Sequence, residues 1–191
     1  MKAYLIGITG ASGSIYAVRL VEELLKRDIK IFLTATSNGK AVMKHETGLE
    51  FNEWSNGLKK QYANLIIEEI DNLFSPAASG SYKMDGTIII PCSMGTLGEI
   101  SCGITKNLLT RAADVALKEK RELIIVPRET PLNAIHLENM LKLSKMGVSL
   151  IPAMPGFYHK PETLSDVINF VVGKILDYLK IQNNLFEKWG N

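Results

Sequence analysis

The residues best equipped for chemistry stand at the ends of apolar runs. Gly7-Ile8-Thr9-Gly10-Ala11-Ser12-Gly13 sets three glycines and two hydroxyls between such a run and an amphipathic stretch. Small side chains there let backbone N–H groups close on an anion, and a helix start adds a favourable dipole. Ser37-Asn38-Gly39 and Cys92-Ser93-Met94-Gly95-Thr96-Leu97 repeat the pattern of hydroxyl and glycine after an apolar run. Taken alone, Ser93 and Thr96 suit helix capping as well as ligand contact. Pro127-Arg128-Glu129-Thr130-Pro131 holds a charged pair in a stiff loop, suited to a surface salt bridge or to phosphate. Arg111 and Lys118 project from nearly the same helical face, where solvation or a shared anion would account for them. Tyr158 brings a ring and a hydroxyl to a proline-flanked loop, and Lys174 lies among apolar neighbours. Together these residues could hold a phosphorylated ligand.

The elements that must position them alternate along the chain. Ala3–Ile8 is near-continuously apolar, as in a strand buried on both faces of a parallel sheet. Similar runs cover 29–36, Leu65-Ile66-Ile67, 86–91, Leu123–Val126 and Val148–Ile151, with helical periodicity between most of them, including 105–120 and 163–181. The fold expected is α/β, a three-layer doubly wound sheet of Rossmann-like or flavodoxin-like type, parallel, with helices on both faces. In such a sheet the carboxyl ends of the strands share one edge, so Gly10, Ser37, Ser93 and Arg128 should meet there. Periodicity weakens between Glu50 and Ser81: Trp54, Asn56 and Gly57 read as a loop, and 75–81 as a small, polar surface loop. His136 reads as packed or capping. The single domain expected spans 1–191, with Trp189 docking the tail of about 182–191 on the core or on a neighbouring subunit.

With 191 residues, 46% of them hydrophobic, the chain can bury a substantial core. A formal charge of +2 gives no electrostatic case for nucleic acid or a membrane surface. No apolar run reaches the length of a membrane span, and the expected location is cytoplasmic. Cys92 and Cys102 are too few for a disulfide framework, and no histidine spacing suggests a metal centre. The first turn departs from G-x-G-x-x-G, and Thr34, Thr36 and Ser37 stand where a dinucleotide site would carry its ribose-binding acid. These departures argue against NAD and leave room for a mononucleotide. A short-chain dehydrogenase fits poorly, since Tyr158 is followed by Lys160 rather than by a lysine four residues on.

The ordered set Thr9–Gly13, Cys92–Leu97, Arg111–Glu119, Pro127-Arg128-Glu129, His136–Met140 and Pro155-Gly156-Phe157-Tyr158-His159 closely resembles the UbiX-like flavin prenyltransferases, a branch of the homo-oligomeric flavin-containing fold. The resemblance implies a metal-independent enzyme that moves a dimethylallyl group from dimethylallyl monophosphate to N5 and C6 of reduced FMN. It also implies a UbiD-like decarboxylase as recipient of the prenylated FMN, and a homododecamer with sites at subunit junctions. By position, Gly10, Ala11, Ser12, Ser37, Ser93, Met94, Gly95, Thr96 and Arg128 would hold FMN. Tyr158, Lys174, Arg111, Lys118 and Trp189 would form the donor site, some from a neighbouring subunit, and Ser12, Glu46, Glu129 and Lys118 would be catalytic. Some relatives carry arginine where this chain has Lys174, so the bidentate fork on the donor phosphate is lost. The rivals are a flavin-dependent cysteine decarboxylase of the same fold and a non-catalytic FMN-binding subunit of an aromatic acid decarboxylase.

Overall fold

The computed structural model describes residues 1–190. Strands β1 (Ala3–Ile8), β2 (Lys30–Ala35), β3 (Leu65–Ile67), β4 (Gly86–Cys92), β5 (Glu122–Pro127) and β6 (Ser149–Leu150) form one sheet in the order β3-β2-β1-β4-β5-β6. Every pairing is parallel. The helices are α1 (Ser14–Leu25), α2 (Ser37–Thr47), α3 (Phe51–Gln61), α4 (Met94–Ser101), α5 (Leu108–Lys118), α6 (Ala134–Lys145) and α7 (Leu164–Tyr178). The strand order reverses between β1 and β4, the point at which doubly wound sheets open a crevice.

Alternation along β1 shows why the run is apolar throughout. Tyr4, Ile6 and Ile8 face a layer built from α1, α3 and α7, whereas Ala3 and Leu5 face α5. The second layer continues with Leu97, Leu109, Ala113 and Leu143 of α4, α5 and α6 against Ile89 and Ile125. With both faces covered, no polar alternation survives in the central strands. Among the described residues no helix is long and apolar enough to cross a membrane.

The structure corrects two local expectations. The stretch read as a loop around Trp54 is α3: Phe51 and Ser55 are buried, and Trp54 packs on Phe51 at 6.2 Å between ring centroids. Asn56-Gly57 gave a turn signal, but the apolar residues at helical spacing around it prevailed. The segment 75–81 is no free surface loop either. Pro76–Ala78 forms a 3-10 turn whose Ala77 and Ala78 pack on the core, and Ser75 Oγ donates to Glu68 at 2.8 Å. The helices predicted over 105–120 and 163–181 are shorter: Asn107 and Thr163 close capping boxes with Thr110 and Asp166 at their starts, and Lys120 and Lys180, at left-handed φ of 53° and 56°, turn the chain away at their ends.

Candidate active site

The strand ends meet as the parallel sheet requires. Thr9, 1% exposed, ties two of them together: its Oγ1 donates to the Pro91 carbonyl and accepts from the Ser93 N–H, both at 2.8 Å. Ser93 in turn caps α4 by accepting from Thr96 N–H, and Thr36 caps α2 by accepting from Gly39 N–H. A Cβ on Gly10 would stand 2.7 Å from the Cβ of Asn38, so glycine lets the first loop lie against α2.

A cavity of about 470 Å³ opens between these loops. Gly10, Ser37, Ser93, Gly95 and Thr96 line it, as expected from the sequence, and Ala11 and Met94 are buried beside them. Thr36 and Asn38, beside Ser37, also line it, as do Lys106 and Asn107, which the sequence did not single out. The capping asparagine at 107 was the available signal. Lys106 is paired with Glu99 at the rim. The N-terminal ends of α2, α4 and α5 all border this space, and with the hydroxyls they fit a phosphoryl group.

The first turn of α1 is used differently. Gly13, at φ 104° in the left-handed region, brings no capping side chain. Glu46 of α2 supplies the cap instead: its carboxylate accepts from Gly13 N–H at 2.9 Å and from Ser14 N–H at 3.1 Å. Burial pushes the Glu46 carboxyl up, but the Ser12 hydroxyl and these two amides outweigh it and hold it below the usual carboxylate range. The hydroxyl acts here through its proximity, since it closes no hydrogen bond of full geometry with Glu46. The group therefore stands ionised at neutral pH.

Ser12, Glu46 and Arg128 line a second cavity of about 560 Å³, walled by Ile15, Tyr16, Leu49, Ala153, Leu164 and Ile168. Arg128 Nε donates to the Ser12 carbonyl at 3.4 Å, so the β5 loop lies against the first turn. Among the described residues Arg128 and Glu129 form no ion pair; the Glu129 carboxylate accepts from the Thr130 N–H at 3.1 Å. An apolar wall with one carboxylate and one guanidinium at its rim suits a planar ring and a hydrocarbon chain.

The remaining candidates lie outside both cavities. Arg111 donates to the Ala78 carbonyl and pairs with Asp114 at 2.9 Å. Lys118 pairs with Glu119 at 2.9 Å and lines a separate groove with Cys102 and Lys142. Tyr158 and Trp189 meet edge-on at 5.6 Å and line a small cavity of about 240 Å³. Lys174 is exposed on α7. His136, as expected, closes the capping box of α6 with Asn133. Cys92 is buried and burial pushes its thiol up, which leaves it a packing residue rather than a nucleophile.

A hydroxyl-lined cavity at the switch point of a parallel sheet suits a mononucleotide, and the family model described as Flavoprotein matches residues 1–185, which makes the chain a flavoprotein. Within that class the chain belongs to the UbiX flavin prenyltransferase family. It is 53% identical to the flavin prenyltransferase UbiX of Halalkalibacterium halodurans, over 98% of this chain and 93% of that one. Its structure is similar to that of AnUbiX (PadA1) in complex with FMN and dimethylallyl pyrophosphate, with a TM-score of 0.93 and 34% identity, over 100% of this chain and 98% of that one. It is also similar to a dodecameric FMN-dependent UbiX-like decarboxylase from Escherichia coli O157:H7, with a TM-score of 0.92 and 37% identity, over 99% of this chain and 100% of that one.

Proposed function

We propose that the chain transfers a dimethylallyl group from a dimethylallyl phosphate to reduced FMN. The observation that carries this reading is the pairing of the phosphate cradle with the cavity that joins ionised Glu46, Ser12 and Arg128 to an apolar wall. The allylic C–O bond breaks with its electron pair on the phosphate as flavin N5 bonds the CH2 carbon and gives up its proton; the remaining C=C is then protonated at its CH carbon, its tertiary carbon bonds flavin C6, and C6 loses its proton, so one proton is released overall. Gly10, Ala11, Ser12, Ser37, Ser93, Met94, Gly95 and Thr96 hold the FMN, its phosphate lying toward α2, α4 and α5. Arg128, which lines the second cavity, holds the flavin from that side. Glu46, with Ser12 beside it, takes up a displaced proton. Arg111, Lys118, Lys174 and Tyr158 bind the departing phosphate, whose growing charge the cations neutralise. Glu129 orients that cation set, and Trp189 walls the allyl pocket.

Arg111, Lys118, Tyr158, Lys174 and Trp189 face surfaces other than the Glu46 cavity of their own chain, so a complete site draws on neighbouring copies. Phe74, Trp189, Leu164, Phe157 and Ile135 are all more than 60% exposed, which supports association. The assembly proposed is a homododecamer acting in the cytoplasm, with a UbiD-like decarboxylase as recipient of the product. The donor proposed is the monophosphate, since the sequence carries no aspartate-rich motif of the kind that holds magnesium and a diphosphate.

The test is anaerobic incubation of the purified protein with reduced FMN and either dimethylallyl monophosphate or pyrophosphate, followed by mass spectrometry of the flavin. A prenylated mass is expected with the monophosphate. Unmodified flavin with both donors, beside a working control enzyme, would overturn the reading.

A further inference from the structure

His159 stands in the densest aromatic cluster of the molecule, and both of its ring nitrogens are buried without a hydrogen-bond partner. Its ring lies flat on Phe170, at 5.1 Å between centroids and 9° between planes. Tyr158 meets it edge-on at 5.8 Å, and Phe186 of the tail at 6.1 Å. Phe170 itself contacts Tyr158 at 5.5 Å and Phe186 at 5.0 Å, and Tyr158 carries Trp189. Five rings thus join three separate segments: the loop around Pro155–Pro161, α7, and the C-terminal tail.

The backbone is shaped to admit these rings. A Cβ on Gly156 would stand 2.9 Å from the Phe170 ring, and one on Gly173 only 2.6 Å from the Phe186 ring. Lys160, directly after the histidine, holds a left-handed φ of 50°, and its N–H donates to the Phe157 carbonyl at 3.0 Å. That local turn directs the His159 ring inward. The tail is fastened independently: Asp177 accepts from Asn183 and from Lys188, each at 2.9 Å. Loop and tail therefore meet directly against α7, Tyr158 on Trp189 and His159 on Phe186, with Phe170 beneath them.

We propose that His159 is a positioning residue for the prenyl donor, acting through the flat shape of its ring. Stacked on Phe170, it sets Tyr158 against Trp189, and those two residues present the hydroxyl and the indole to the donor. A side chain with both nitrogens unpartnered contributes shape and stacking here rather than a proton. The inference rests on the donor site proposed above, where Tyr158 and Trp189 act.

The test compares His159→Ala with His159→Phe in the full-length protein. The alanine variant should raise the KM for dimethylallyl phosphate about tenfold while kcat at saturation and FMN affinity stay close to wild type. The phenylalanine variant, keeping the ring, should restore most of that loss. An unchanged donor KM in the alanine variant would overturn the proposal, as would a phenylalanine variant as impaired as alanine, which would assign the role to the nitrogens. A second measurement is independent of turnover: in a Trp54→Phe background Trp189 is the sole indole, and its emission and acrylamide quenching should change with alanine but not with phenylalanine. No change on alanine substitution would refute the positioning claim even in a protein with no prenyl transfer, whereas the expected change without turnover would point to failure of the functional reading instead.

Discussion

Replacing Glu46 by glutamine separates the two duties this residue carries. The carboxylate accepts from the Gly13 and Ser14 amides, so it caps α1 from a neighbouring helix, and it stands ionised beside Ser12. Glutamine keeps an acceptor oxygen but removes the charge. The lost charge–dipole attraction amounts to about 0.3–1 kcal/mol, and weakening a charged hydrogen bond to a neutral one adds about 1 kcal/mol at most. Because Glu46 is largely exposed, solvent screening puts the total near 1 kcal/mol, a fall in Tm of about 2–4 °C for a chain of this size. Removing a general base at the reacting atoms is larger, about 100-fold in rate. The expected variant is therefore folded, binds FMN as the wild type does, and forms prenylated flavin about 100-fold more slowly in a single-turnover assay. The pH dependence follows from the lowered carboxyl: its contribution is complete above the unfolded value and is lost as pH falls through the folded one. The stability gap between wild type and variant should therefore close in acid. Full activity in the variant would remove Glu46 from proton transfer. A loss of activity matched by an equal loss of FMN affinity would leave it only the cap.

Thr9→Val should strand the Ser93 N–H, while the Pro91 carbonyl keeps the Thr9 backbone N–H at 3.3 Å, destabilising the fold by about 1–3 kcal/mol in urea unfolding and weakening FMN binding measured by flavin fluorescence. Glu23, 6% exposed, is held by Arg19 at 2.8 Å, Lys26 at 3.2 Å and Arg27 at 2.5 Å. Burial pushes its carboxyl up, but these partners outweigh it and hold it low. Glu23→Gln should destabilise by about 1–3 kcal/mol, less than the loss of a fully buried pair because its partners are partly exposed. By the same sign, the difference is full at neutral pH and disappears as acid protonates Glu23, which urea titrations at several pH values will read. Lys174→Arg restores the bidentate fork and should lower the KM for dimethylallyl phosphate a few-fold without altering FMN affinity; a raised KM would argue against a contact with the donor phosphate.

The framework was legible in the sequence because its physics is local. Strands covered on both faces must be apolar throughout, and parallel strands must bring their carboxyl ends to one edge; from these two rules Gly10, Ser37, Ser93 and Arg128 could be placed together before any coordinates. What failed was local signal overruled by packing, as at Asn56-Gly57 inside α3. His159 lay inside a motif, but its surroundings appear only when Gly156 and Gly173 are seen facing phenylalanine rings.

The first turn shows the limit most clearly. Its composition reads as one anion cradle, yet the structure divides it: Thr9 is spent on Pro91 and Ser93, and the Gly13 and Ser14 amides on Glu46. A ligand phosphate placed on the α1 terminus would have to displace a carboxylate already seated there, against the repulsion of two like charges. The proposed phosphate site is therefore placed in the neighbouring space bounded by α2, α4 and α5. The same displacement leaves Ser12 and Glu46 together, facing an apolar wall, where a proton can be taken up without competing with the phosphate for the same amides.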